Sequence, residues 1–384
     1  MNTVRIGIAG LGNMGTAHAA SILAGKIRRL ELTAVCDSDP ARLARYPDLA
    51  TFPSADAMIG SGRIDAILIA TPHYDHTTVG VRALEAGLHV LVEKPISVQK
   101  ADCQRLIAAH RDPRQVFAAM FNQRTDPYYR KLRQLITSGE LGAIRRVNWI
   151  ITNWFRPEIY YASSAWRATW AGEGGGVLLN QCPHNLDLFQ WMFGMPVRVR
   201  AFCRFGQYHG IEVEDDVTAY LELPGGASGV FITTTGEAPG TNRLEIAADN
   251  GRIVYEDDRI QYLRNSVPAS EFSRTTTEAF ARPETKAELI PAPDHGGQHN
   301  EILQNFTDAI LDGQPLIAPA AEGIRSVELA NAMLLSTWLD RTVELPLDAT
   351  LYEQELRQHI AASKLQKRVV APAPAADLSK SFGR

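Results

Sequence analysis

Long apolar runs are missing from this chain: none approaches the roughly 20 residues that a bilayer-spanning helix needs. Basic clusters are missing too. With a formal charge of −4 spread over 384 residues, the chain has no electrostatic footprint for nucleic acid. Cysteine is scarce. The four present (Cys36, Cys103, Cys182 and Cys203) have no metal-type spacing and sit in apolar or strand-like contexts, so reduced structural thiols are expected. Cys182 stands apart only because it lies close to His184. No cluster of histidine, cysteine and carboxylates has metal-ligand spacing, so no metal is expected. No internal repeat is visible. The N-terminus lacks a basic segment followed by a cleavable apolar stretch, and the expectation is a cytoplasmic protein, mature from Met1, with no membrane partner. What is present is ordinary globular composition, 45% hydrophobic and 21% charged, with length enough for two substantial cores.

The first part of the chain alternates short apolar strands with helices. Strands are predicted at 4–10, 31–37, 65–71, 89–94 and 115–121, and helices at 14–23, 75–86 and 99–110. Strands that are apolar throughout, separated by helices, form a parallel sheet covered on both faces. Right-handed crossovers make it doubly wound. Beyond residue 122 a helix at 127–138 leads into longer alternating segments such as "DVTAYLEL" and "SGVFITTTG". Turn signals at "PGG" (224–226) and "DNG" (249–251) point to a mostly antiparallel sheet. Residues 264–296 are expected to be loop, with helices returning at 299–312 and 323–340. The expected organisation is therefore α/β. A Rossmann domain occupies 1–122, a second α/β domain with a large open sheet 123–345, and an arm 346–384, which has one amphipathic piece, "LYEQELRQHI", and then a flexible or partner-draped "APAPAA" at 371–376.

"GIAGLGNMG" places Gly10, Gly12 and Gly15 in G-x-G-x-x-G spacing between a strand and a helix, with Asn13 and Met14 opening that helix. The first glycine permits a tight turn, the second lets a pyrophosphate approach, and the third lets helix and strand pack closely. The free N–H groups at the helix start suit phosphates. Asp37 ends the second strand near the spacing at which an acid binds the adenosine ribose, or alternatively caps the turn into "SDPAR". A carboxylate there repels a 2′-phosphate, favouring NAD over NADP, while Arg42 keeps NADP in view. Ligands of open parallel sheets sit beyond the carboxyl ends of the strands. Thr71, Pro72 and His76 in "ATPHYDH", and Glu93, Lys94 and Pro95 in "EKP", should therefore line the cofactor crevice. Asn122 and Gln123, after the last strand, are expected to face the nicotinamide.

Taken together, "GIAGLGNMG", "ATPHYDH", "VEKP" and "GEGGGVLLNQCPHNLD" resemble the glucose–fructose oxidoreductase / inositol dehydrogenase (Gfo/Idh/MocA) family from about residue 4 to about 340. The resemblance implies NAD(P)-linked chemistry at a sugar or cyclitol carbinol, and a homodimer or homotetramer formed through the exposed face of the second sheet. It implies that the glycine triplet at 174–176 passes the nicotinamide end of the site, where bulky side chains would obstruct it. It also implies that the next helix projects His184 at the substrate, and that Trp166 and Arg167 contact cofactor or substrate. Family members often show D-x-x-x-H-x-x-D there. This chain has Asn180, His184 and Asp187, so the first acid has become an amide, which binds a hydroxyl but does not relay a proton.

Oxidation of a secondary alcohol needs a base with a pKa near the operating pH. His184 is assigned as the principal acid/base, and Lys94 as the group that holds the reacting oxygen and stabilises alkoxide character. Trp154, Arg156, Tyr160 and Tyr161 offer aromatic faces and guanidinium groups suited to a sugar ring; Asn180 and His299 are further substrate-binding candidates. The expected activity is NAD-dependent hydride transfer from a secondary hydroxyl of a sugar, cyclitol or sugar derivative. The alternative is a redox-neutral glycoside hydrolase that oxidises, eliminates and re-reduces, with Arg156 and Arg167 suiting an anionic glycoside and Tyr160, Tyr161 or His299 as the second base. A non-catalytic, dinucleotide-sensing protein is the third reading.

Overall fold

A computed structural model describes residues 2–370; the "APAPAA" segment lies outside the described residues. The first half is built on six parallel strands. In chain order the elements are β1 (Val4–Ala9), α1 (Asn13–Leu23), β2 (Leu30–Cys36), α2 (Pro40–Leu43), β3 (Ala50–Phe52), α3 (Ala55–Ile59), β4 (Ala66–Ile69), α4 (His73–Glu85), β5 (His89–Val92), α5 (Lys100–Ala109) and β6 (Phe117–Ala119). The spatial order is β3-β2-β1-β4-β5-β6, the Rossmann arrangement, in which the strand order reverses beside β1. Every residue of β4 is buried, as a central strand sandwiched between helix layers requires.

The second half opens with α6 (Pro127–Thr137). Asp126 caps it through the Tyr128 amide and Pro127 occupies the first turn, where a missing N–H costs nothing. There follow β7 (Ile144–Ile151), α7 (Glu158–Ala162), α8 (Pro183–Phe193), β8 (Arg198–Phe205), β9 (Glu214–Glu222), β10 (Ser228–Thr234), β11 (Asn242–Ala248), β12 (Gly251–Glu256), β13 (Arg259–Asn265), α9 (Ala269–Thr275) and β14 (Thr285–Ile290). The chain then runs through α10 (Gln298–Asp312), α11 (Gly323–Trp338), β15 (Val343–Glu344) and α12 (Ala349–Ala362). The nine strands are ordered β14-β13-β12-β11-β7-β10-β9-β8-β15. All described pairs in this sheet are antiparallel except β7 with β10. The predicted hairpins at 224–226 and 249–251 join β9 to β10 and β11 to β12.

Three differences from the sequence reading have physical causes. The expected loop at 264–296 contains α9 and the edge strand β14. This strand is mostly exposed and held by its ladder to β13, so it carries no apolar pattern to read. The expected arm begins with α12, whose Tyr352 and Leu356 are buried and whose helix packs on α5 and α11. Finally, Ile302, Leu303 and Phe306 of α10 belong to the apolar core of the nucleotide half. That packing brings the start of α10, with His299, to the crevice between the halves.

Candidate active site

Each glycine of the loop after β1 answers a different demand. Gly10 has φ +92°, and a Cβ there would press on the Ala70 carbonyl at the end of β4; a Cβ on Gly15 would collide with the Gly10 carbonyl. A Cβ on Gly12 would meet open space. The first turn of α1, which Asn13 and Met14 begin, has no acidic residue and no side-chain cap. Its amides and the gap over Gly12 therefore stay available to an anion, and a dinucleotide pyrophosphate fits there. Asp37 accepts the Leu11 amide at 2.7 Å and the Asp39 amide at 2.9 Å, with Arg42 at 3.3 Å. It therefore does cap the turn into "SDPAR" and also steadies the glycine loop. A carboxylate has further lone pairs for a ribose hydroxyl.

Beyond β4, the Thr71 hydroxyl is buried with no hydrogen-bond partner in the protein, and Pro72 leads into α4. His76 does not offer a polar atom to a cofactor. Its ring nitrogens lie 2.7 Å from the Pro95 carbonyl and 2.9 Å from the Thr71 carbonyl, so it ties the loop after β4 to the loop after β5. Glu93 is buried against His18, whose Nε2 is 2.7 Å away, and accepts the Lys94 amide at 3.2 Å. Burial pushes the Glu93 carboxyl up, but the His18 hydrogen bond and nearby positive charge outweigh it and hold it at about 2. His18 was not anticipated; its position in α1, facing β5, is a tertiary fact.

Lys94, at a cis Lys94–Pro95 peptide, donates from Nζ to the Asn180 carbonyl at 2.9 Å. Burial lowers its pKa, partly countered by Glu93. His184 follows Pro183 in the first turn of α8. Its Nδ1 is buried without a partner, and burial followed by the charge of Lys94 pushes its pKa well below the usual imidazole value. Lys94 belongs to the nucleotide half and His184 to the other, and the charge of the first is felt at the second. His299 stands 5.6 Å from the His18 ring and is pushed down to about 4, mainly by burial.

The amide at position 180 has a carboxylate beside it after all. Asn180 donates from its side chain to Glu173 and accepts from the Tyr160 hydroxyl at 3.0 Å. Glu173 is buried, which raises its pKa against the opposing charge of Arg167; "GEGGG" was its only signal. Asp187 points elsewhere: Arg124 grips it with two hydrogen bonds of 2.7 and 2.6 Å. The glycine triplet is closely packed. A Cβ on Gly174 would strike Val98, one on Gly175 would crowd Leu179, and one on Gly176 would strike the Glu214 carbonyl. Packing against β9 and the nucleotide half by itself leaves no room for side chains there. The "VLL" that follows forms a tight turn.

Among the aromatic candidates, Trp166 packs edge-on against His73 at 5.4 Å. Arg156 and Arg167 both lie over the Tyr160 ring, at 5.2 and 4.4 Å, and Arg167 also approaches Glu173. Tyr161 is a core residue. Its hydroxyl donates to Thr235 at 2.7 Å and its ring packs on His209, so it is no second base. Cys182 contacts Thr233 at 2.8 Å, and burial pushes its thiol up to about 12, so it is unreactive. Trp154 donates to Asn185 at 3.3 Å, and both line a cavity of about 490 Å³ together with Asn122, Gln123 and His299. No helix among the described residues is long and apolar enough to cross a membrane.

Strand order, glycine loop and strand-end residues together define a Rossmann dinucleotide-binding protein of the oxidoreductase class. Residues 4–121 match the model described as "Oxidoreductase family, NAD-binding Rossmann fold", and residues 129–254 match the "GFO/IDH/MocA C-terminal domain". The chain belongs to the GFO/IDH/MocA oxidoreductase family, as its motifs suggested. Inositol 2-dehydrogenase of Rhizobium meliloti is 24% identical, the match covering 89% of this chain and 99% of that protein. With the uncharacterized oxidoreductase YdgJ of Escherichia coli, identity is 29%, but the match spans only 51% of this chain and 55% of the relative. Among solved structures, the WlbA dehydrogenase of Chromobacterium violaceum, in complex with NADH and UDP-GlcNAcA, superposes with a TM-score of 0.77. Its identity is 26%, covering 91% of this chain and 97% of that one. Levoglucosan dehydrogenase with NADH and levoglucosan shares the fold, at a TM-score of 0.74 and 20% identity, covering 90% and 100% of the two chains.

Proposed function

We propose that the protein is an NAD-dependent dehydrogenase that oxidises a secondary hydroxyl of a sugar, cyclitol or sugar derivative. The observation that carries this reading is the reach of Lys94 from the nucleotide half to the Asn180 carbonyl of the other half, four residues ahead of His184 in the chain. The family's NAD-binding Rossmann domain and the relatives named for inositol dehydrogenation support it. NAD, when bound, supplies the hydride acceptor. Gly12, the first-turn amides of α1, Asp37 and Thr71 are the residues proposed to hold it.

The proton chemistry differs from the first expectation. An imidazole of ordinary pKa suits a general base near neutrality, but burial takes His184 well below that range. Lys94 is shifted downward from far above neutrality, toward the range where a base works best. In this proposal Lys94 takes the hydroxyl proton at Nζ. His184 stays neutral and orients the substrate through its unpartnered Nδ1. The Asn180 carbonyl aims the lysine, while Glu93 and His18 brace the strand end that carries it. We further propose that the outer face of the nine-stranded sheet, with Phe202 59% and Tyr220 45% exposed, packs against a second copy of the chain.

The test is a screen of free sugars, cyclitols and glycosides with NAD and with NADP, following NADH absorbance and released products together. Steady NADH formation with NAD is expected. Glycoside cleavage with catalytic NAD and no net NADH would replace this reading with the oxidoreductive hydrolase. The absence of any turnover would leave a dinucleotide sensor.

A further inference from the structure

The cavity lined by Asn185, the residue after His184, has several other elements in its walls. Its lining includes His299, Asn122 and Gln123, and a second group, here called the far end, of Tyr129 and Asp126 at the start of α6, Tyr255 and Asp258 around the β12–β13 turn, and His295. Its volume of about 490 Å³ falls within the roughly 300–1,000 Å³ of small-molecule sites, part of it facing the nicotinamide position at Asn122 and Gln123. The walls have a consistent chemistry. Asn122 is only 3% exposed, and its Oδ1, like the Gln123 Oε1, is buried with no partner in the protein. These are acceptors waiting for donors, which a buried amide oxygen should not lack. Tyr129 and Tyr255 meet edge to face at 5.4 Å and supply apolar surface of the kind that packs on the C–H face of a sugar.

The charge is just as selective. Among the described residues, no lysine or arginine lines the cavity. Asp126 and Asp258 flank His295, with N–O separations of 3.7 and 3.6 Å, so two carboxyl groups face a single imidazole. Carboxylate, sulfonate and phosphate groups are repelled from this end. The arginines that suggested an anionic substrate, Arg156 and Arg167, do not line it: both lie over Tyr160, and Arg156 also stands 5.6 Å from the ring of Trp154 in the cavity wall.

We infer that the far end, built by Asp126, Tyr129, Tyr255, Asp258 and His295, is a subsite for a second, uncharged polyhydroxylated unit. The substrate is then a glycoside of disaccharide size, not a free monosaccharide. This rests on the dehydrogenase reading. The test uses the full chain with NAD and compares glucose, galactose and mannose in four forms: free sugar, methyl glycoside, glucosyl disaccharide and glucuronosyl disaccharide. For the sugar that responds, the glucosyl disaccharide should exceed the methyl glycoside in kcat/KM by about tenfold or more, and the glucuronosyl one should not. Tyr255→Ala should erase that ratio. Asp258→Asn, on a turn where asparagine tolerates the positive φ, should narrow the gap between the glucosyl and glucuronosyl compounds. Equal kcat/KM for methyl glycoside and glucosyl disaccharide in the wild type, or equal proportional losses in both variants, overturns the inference. If no compound yields NADH, the dehydrogenase reading fails separately. The subsite is then read by quenching of tryptophan fluorescence, since Trp154 lines the cavity. Saturable quenching by a glucosyl disaccharide that Tyr255→Ala abolishes retains it, and no quenching by any of them ends it.

Discussion

Replacing Lys94 with arginine separates the two candidate bases. Arginine keeps the positive charge but does not deprotonate near neutral pH, so a lysine that acts as base cannot be replaced by it. The pH profile gives the magnitude. Below the pKa of a required base, the fraction in the active form falls tenfold per pH unit. Burial places the Lys94 pKa below its usual 10.5, with Glu93 opposing the shift. Log kcat/KM for alcohol oxidation should therefore climb with unit slope from neutral pH and level off before 10.5. His184, well below 6.5, is already neutral at pH 7; were it the base, the profile would be level above that point. Between pH 7 and pH 9 the two mechanisms differ by up to about 100-fold. Lys94→Arg should remove the alkaline limb and lower kcat/KM by about 10²–10⁴-fold, the usual worth of a positioned base. His184→Asn should slow turnover while leaving the limb in place. The assay is initial-rate NADH formation from pH 6 to 10, with NADH affinity titrated by fluorescence to confirm an intact nucleotide site. A level wild-type profile, or an alkaline limb surviving in Lys94→Arg, would refute the assignment.

Two glycine substitutions should fail in opposite ways. In Gly12→Ala, the methyl group enters open space, so thermal stability should stay near wild type while NADH affinity drops. Gly176→Ala drives a methyl into the Glu214 carbonyl and should destabilise the fold by about 1–3 kcal/mol, read as a lower Tm. Similar Tm values for both would show that the triplet's packing argument is wrong. At the open sheet face, light scattering should report a dimer or tetramer at micromolar concentration, and Phe202→Asp should shift it toward monomer; a monomeric wild type would rule the interface out.

Much of the nucleotide half was legible because its signals are local. A strand buried on both faces reads as an apolar run, and a glycine forced to φ +92° leaves its mark at one position. His184 was singled out by the family resemblance of "GEGGGVLLNQCPHNLD", which is likewise a run of neighbouring residues, and by the suitability of an imidazole as a base. Other residues left no local trace. Asp187 looked like a site acid until Arg124 took it, 63 residues away in the chain. Glu173 acquired its meaning from Asn180, and β14 is held by backbone pairing that no side chain advertises.

The amino-acid order by itself determined the nucleotide fold, the glycine cradle and the identities of the two groups proposed for chemistry, since each depends on neighbours a few residues apart. Only the tertiary structure decided their surroundings and the shape of the cavity that Asn185 lines. Lys94 reaches a carbonyl 86 positions along the chain, and burial is the largest cause of the lowered pKa of both groups. Desolvation is a property of enclosure, which sequence-local patterns do not encode.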